Sequence, residues 1–191
     1  MRSMPLVMDV NLPDSGATDV LGQALARALP ITVYLRAAGA ASAVGSLTGA
    51  AGSGAVMYLQ GELGAGKTTC ARSLLRALGV TGLVRSPTYT LVETYILAAL
   101  TCVHVDLYRL QVYSEVDELG LRDLVGPGCL LMVEWPEKGG GALPPADLNL
   151  TFTYTGDSRH GRLAAKTPLG IEWLSNMGHD TSLRSYVSNL T

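Results

Sequence analysis

Residues 60–75 read QGELGAGKTTCARSLL, and Gly61-x4-Gly66-Lys67-Thr68 within them has the spacing of a phosphate-binding loop. Each part has a chemical reason. The glycines let successive backbone N–H groups turn inward toward phosphate oxygens. The apolar-periodic run that follows offers the positive end of a helix. Lys67 has the reach to pair with β and γ phosphates, and the Thr68 hydroxyl can complete a Mg²⁺ shell. The loop Gly61, Glu62, Leu63, Gly64, Ala65, Gly66, together with Lys67, Thr68 and Thr69, is therefore the expected nucleotide cradle. The bland alternative is a glycine turn before a helix; average composition gives ~1 chance match per 100 chains of this length.

Such a cradle needs carboxylates opposite it. CLLMVEW is an apolar strand that ends in Glu134. A carboxylate at the carboxyl end of a strand is where open α/β sheets hold their ligands. Glu134 is expected to hold the metal with Thr68, or to polarise an attacking water. In CVHVDLYR, His104 and Asp106 stand two apart on a second strand and so share a face. Asp106 is the second candidate catalytic acid. RSPTYT carries Ser86 and Thr88, hydroxyls of the kind that sense a γ-phosphate, although Ser-Pro-Thr is also an ordinary strand-entry turn.

These groups must be carried by a scaffold. Leu21, Leu25 and Leu29 recur at helical spacing after the caps Ser15 and Thr18, and Pro30 closes that helix. ITVYLRA suggests an extra strand. Val56–Leu59 reads as a buried strand and Thr68–Leu78 as a helix stopped by Gly79. Tyr89–Tyr95, Cys102–Asp106 and Leu130–Glu134 read as strands. SEVDELGLRDL reads as one short acidic helix capped by Ser114. DLNLTFTY and GRLAAKT read as two strands joined by the turn TGDSRH. A last helix is expected from Ile171, with no reading for the tail at 176–191. Strands alternating with helices predict an α/β fold: a mostly parallel sheet flanked by helices, with an antiparallel hairpin near the end.

The 191 residues suit a single domain over 1–191, and 48% hydrophobic with 16% charged residues is a globular composition. The net charge of −2 lacks the basic excess of a chain that grips nucleic acid alone, so any nucleic-acid contact is expected to be shared with a partner. Three well-separated cysteines, Cys70, Cys102 and Cys129, argue against a disulfide framework and for a reducing cytoplasmic setting. Pro5, Asp9 and Asp14 interrupt any signal-peptide core. Residues 37–59 carry no charge, but 17 of these 23 are Gly, Ala, Ser or Thr, which give lipid little to solvate. The expectation is no membrane span, and a Gly/Ala/Ser-rich insertion over 31–55.

GELGAGKTT, SPTYTLVETY, HVDLYRL, DELGLRDL and VEWPEK, in that order, resemble the TsaE (YjeE) family of small bacterial P-loop ATPases. That family is required for threonylcarbamoyl-adenosine formation in tRNA. The resemblance runs from about Asp14 to about Lys166 and fails at 31–53. It implies ATP and Mg²⁺ as cofactors, TsaD and TsaB as partners, and contact with tRNA only through that complex. It further implies that Asp106 is the essential acid of HxDxYR and that Glu134, with Trp135 beside it, is the Walker B carboxylate. Arg159, in the TGDSRH turn, matches a basic residue that contacts nucleotide in similar proteins.

Two rivals have different chemistry. A P-loop small-molecule or nucleoside kinase needs an arginine-bearing lid, and only Arg159 and Arg162 come near one. Against a non-catalytic nucleotide-sensing module, intact Lys67, Thr68 and Glu134 argue that the site is not dead. A GTPase finds no support, since no N-K-x-D-type segment is present.

Overall fold

The structure, a computed structural model, describes residues 6–34, 54–110 and 114–191. Most of the expected insertion lies outside the described residues, as does the Ser114 side chain expected to cap a helix. Among the described residues, eight strands form one sheet: β1 (Val7–Leu12), β2 (Ala55–Gln60), β3 (Val92–Ile96), β4 (Thr101–Asp106), β5 (Cys129–Glu134), β6 (Leu148–Thr155), β7 (Ser158–Ala165) and β8 (Val187–Leu190). Their order is β3-β4-β5-β2-β6-β7-β1-β8. The four central strands, β4, β5, β2 and β6, run parallel. The expected parallel sheet is thus the centre of a mixed one: β3 on one side, and β7, β1 and β8 on the other, are added antiparallel.

The helices are α1 (Ser15–Ala28), α2 (Ile31–Tyr34), α3 (Lys67–Ala77), α4 (Ser114–Glu118), α5 (Leu121–Leu124) and α6 (Pro168–Gly178). One core lies between the sheet and α1, α3 and α6, with Met8, Val10, Leu21, Leu25, Leu74 and Trp173 all buried. The other lies under α4 and α5, where Val103, Val105, Leu131 and Val133 meet Val116 and Leu121. Strand β5 is buried at all six positions because both its faces are covered. In β6 the apolar Leu148, Leu150 and Phe152 alternate with Asn149, Thr151 and Thr153, because only one face there carries helices.

Close packing of α1 on α3 requires a glycine. A Cβ on Gly22 would stand 2.5 Å from the Cys70 carbonyl oxygen. Helix α6 is tied to α1 by Trp173, whose buried indole N–H donates to the Leu25 carbonyl at 2.9 Å. Asp147 joins three elements: its carboxylate accepts from the Val56 N–H at 2.9 Å and from the Thr167 hydroxyl at 2.5 Å. Thr167 in turn caps α6. Burial raises the Asp147 carboxyl above its usual range, against the lowering effect of those two donors.

Several local expectations are corrected. The α1 cap is Asp14, whose side chain accepts from the Ala17 N–H at 2.8 Å, and not Ser15 or Thr18. ITVY forms the short helix α2 rather than a strand, entered at Pro30 and burying Val33 alone. The Tyr89–Tyr95 strand starts later, at Val92, since the Leu91 N–H bonds back to the Pro87 carbonyl and closes a turn. The acidic helix is two helices, broken by Gly120 at φ 59°. The last helix begins at Pro168, ahead of Ile171. The β6–β7 turn is shorter than expected, so Arg159 lies in β7 and pairs with Tyr154. Strands β1 and β8 were not anticipated. Among the described residues, no helix is long and apolar enough to cross a membrane.

Candidate active site

The parallel strands β2, β4 and β5 deliver their carboxyl ends to one edge, where ligands of open α/β sheets bind. The loop after β2 carries Gly61, Gly64 and Gly66 at φ 132°, 78° and 112°, the left-handed region. At Gly61 there is a second constraint, since a Cβ would stand 2.6 Å from the Phe152 carbonyl oxygen. Ala65 is buried in the core, while Glu62 and Leu63 are exposed. Helix α3 then starts at Lys67 with no side-chain cap, so its first N–H groups stay available to an anion.

Lys67 is only 4% exposed. Its Nζ donates to the carbonyls of Gly61 (2.7 Å) and Glu62 (2.8 Å) and lies 4.0 Å from the centre of the Trp135 ring. Burial lowers the ammonium's pKa, opposed by the negative field of Glu134, Asp106 and Glu137. Trp135 sits at φ 58° and packs against Tyr108, with ring centres 5.1 Å apart. That strained backbone aims the indole back over the loop.

Glu134, 2% exposed, is held from both sides. Its Oε2 accepts from the Thr68 hydroxyl at 2.9 Å, and its Oε1 lies 2.8 Å from His104 Nε2. His104 is fully buried, and its Nδ1 has no partner among the described residues. The geometry fits the tautomer with Nε2–H donating to Glu134. Asp106 stands opposite Glu134 in the β4–β5 register. Its Oδ2 accepts from Thr88 (2.6 Å) and Ser86 (3.3 Å), and its Oδ1 from the Tyr108 N–H (3.0 Å). The two switch-type hydroxyls named from the sequence are thus gathered on the second acid.

A cleft of about 260 Å³ is lined by Gly64, Gly66, Lys67, Thr68 and Thr69 on one side and by Thr88, Asp106, Glu134 and Trp135 on the other. Arg159 reaches the loop from β7, its Cδ 3.8 Å from where a Cβ on Gly66 would stand. Its Nε is buried without a partner among the described residues, a donor still to be satisfied. Two site residues escaped the sequence reading. Tyr108 lay inside the recognised DLYR motif, but its backbone role depends on the turn after β4. Tyr154, whose hydroxyl donates to the Leu63 carbonyl at 3.1 Å, is placed by hairpin register alone.

The groups fit nucleotide and metal by their own chemistry. Glycine N–H groups, an uncapped helix, Lys67 and the unsatisfied Arg159 suit a phosphate chain. Among the described residues no three His, Cys, Asp or Glu side chains form a metal cage. Thr68 and Glu134 supply two oxygens, and Mg²⁺ usually completes such a pair with water and phosphate.

The family model described as "Threonylcarbamoyl adenosine biosynthesis protein TsaE" matches residues 14–163. A Haemophilus influenzae tRNA threonylcarbamoyladenosine biosynthesis protein TsaE is 46% identical over 63% of this chain and 76% of its own. The Synechocystis protein of the same name is 36% identical over 69% and 71%. A crystal structure of Bacillus subtilis YdiB superposes with a TM-score of 0.66 at 21% identity, covering 92% of this chain and 97% of that one, which speaks for the fold. The chain belongs to the TsaE family.

Proposed function

We propose that this chain is a Mg²⁺-dependent ATPase that acts with TsaD and TsaB in forming threonylcarbamoyl-adenosine on tRNA. Hydrolysis switches the complex between states rather than supplying the acyl chemistry. The observation that carries the reading is the 2.9 Å bond between Thr68 of the phosphate loop and Glu134 of the opposite strand. It joins the metal hydroxyl and the catalytic carboxylate at one point of the cleft.

The residues divide the work. The loop N–H groups and the α3 terminus bind and orient the phosphate chain. Two of the three N–H groups of the Lys67 ammonium go to the Gly61 and Glu62 carbonyls, and to pair fully with β and γ phosphates it would exchange those acceptors for phosphate oxygens. A bound Mg²⁺ would neutralise phosphate charge, held by Thr68 and Glu134. Glu134 orients the attacking water, with His104 fixing its carboxylate. Asp106 gathers Ser86 and Thr88, whose hydroxyls are free to exchange partners when a γ-phosphate is present. That exchange would be the signal a partner reads.

The cytoplasmic setting is part of the same proposal. Cys70, Cys102 and Cys129 are all free and buried, and burial pushes the Cys102 thiol up to about 12. The net charge of −2 favours tRNA contact through the complex. The test is a phosphate balance. With ATP and Mg²⁺, inorganic phosphate released in step with ADP supports hydrolysis. Phosphate found on a small-molecule acceptor points to a kinase, and bound ATP that never turns over points to a sensing module.

A further inference from the structure

A second groove, about 690 Å³, lies between the phosphate loop and the outer half of β6. Leu63 and Trp135 line both this groove and the nucleotide cleft, so they form the wall between them. Its other walls include Glu62, Glu137, Thr153 and Tyr154. Leu63 is 67% exposed and Tyr154 46%, an apolar floor open to solvent.

Two further features narrow what fits there. Strand β2 pairs with β6 only as far as Gln60↔Thr151, whereas β6 runs on to Thr155 paired with β7 alone. From Thr153 to Thr155 its edge toward the groove has no strand partner among the described residues. In an antiparallel pair every second residue turns its N–H and C=O away from the partner strand. Over residues 153–155 they make a short template on which one more strand can start. The charge is one-sided as well. Glu62 and Glu137 are exposed, neither has an ion pair among the described residues, and no Lys, Arg or His lines the groove. Phosphates of a nucleic acid would be repelled, whereas long basic side chains could lay their stems on Leu63 and Trp135 and reach the carboxylates.

We propose that this groove docks an extended, lysine- or arginine-bearing segment of a protein partner, which adds to the open edge of β6 as a strand. The seat lies against the back of the phosphate loop and against Trp135, whose ring contacts Lys67 at 4.0 Å. The occupant and the nucleotide therefore share one loop. The inference concerns a surface, and holds whether or not ATP is hydrolysed.

A fluorescein-labelled peptide alternating lysine with valine is the probe, read by anisotropy. Its controls are the glutamate–valine peptide, a backbone N-methylated lysine–valine peptide and an oligouridine of equal length. The lysine peptide should bind at least ~10-fold more tightly than each control. Glu137→Lys should weaken it several-fold and Glu137→Gln by less, with both variants keeping the parental melting curve. Equal binding of the N-methylated peptide would reduce the effect to bulk charge and overturn strand addition. Tighter binding of the RNA, or no change in Glu137→Lys, would overturn the site.

Discussion

On the proposed function, Glu134→Gln should separate catalysis from folding and binding. The carboxylate accepts two hydrogen bonds, from Thr68 at 2.9 Å and at the His104 end at 2.8 Å. A glutamine keeps the shape: its oxygen can accept from His104 Nε2 while its amide donates to a rotated Thr68 hydroxyl. Charge-assisted bonds contribute about 1.5–3 kcal/mol and neutral ones about 0.5–1.5, so the weakened pair costs about 1–3 kcal/mol. Removing a buried charge offsets part of that cost. The net change should be within about 2 kcal/mol, a melting shift of a few degrees at about 2–4 °C per kcal/mol. Turnover should behave differently. Loss of the group that orients water should lower it ~10²–10⁴-fold, about 3–5.5 kcal/mol of barrier. ATP affinity should stay within ~10-fold, because Lys67 and the loop N–H groups are untouched. The assays are phosphate release at saturating ATP, calorimetry and a thermal melt, run on one preparation. Parental turnover in a folded, ATP-binding variant would refute the reasoning and make Asp106 the next candidate.

Other consequences follow from the same contacts. Lys67→Ala should lower ATP affinity at least ~10-fold by calorimetry, since the phosphates lose their paired charge; unchanged affinity would remove Lys67 from the cradle. Deleting residues 37–53 should leave a cooperatively folding, ATP-binding protein, because closure entropy varies slowly with loop length; a non-cooperative melt would show that the segment belongs to the core. The buried Asp147 carboxyl holds its proton more tightly when folded than unfolded. Its contribution to stability is therefore full below the usual carboxylate range and is lost as pH rises through the raised folded value. Asp147→Asn should flatten the melting-temperature profile as pH rises above the usual carboxylate range, and a profile identical to the parent's would contradict that assignment.

The site was more legible in the sequence than its frame. The glycine loop of the candidate site is written in local residues, and β4 and β5 are apolar runs that end in the acids they deliver. Glycine spacing, strand burial and helix start all act within a few residues, so pattern and structure coincide. The family resemblance placed Arg159, but pairing with β6 placed it in a strand rather than a turn. Strand β1 does alternate, with Met8, Val10 and Leu12 inward around Asp9 and Asn11. Its partners are β7 and β8, more than 140 residues away, so nothing nearby marked it as a strand. Strand β8 is short, lies at an edge and is held by the same remote pairing. The convergence of Ser86 and Thr88 on Asp106 spans a turn and two strands, and no spacing rule records it. The open edge of β6 arises only because β2 ends first.

The central claim is ATP hydrolysis at the Thr68–Glu134 pair, coupled to the threonylcarbamoyl machinery. Its most direct test is phosphate release from ATP and Mg²⁺ by this chain alone and with the TsaD–TsaB pair, alongside Glu134→Gln. Slow release alone, a rise of ~10-fold or more with the pair, and loss of that rise in the variant are the expected results. A rate that ignores the pair, or that survives Glu134→Gln, would contradict that claim.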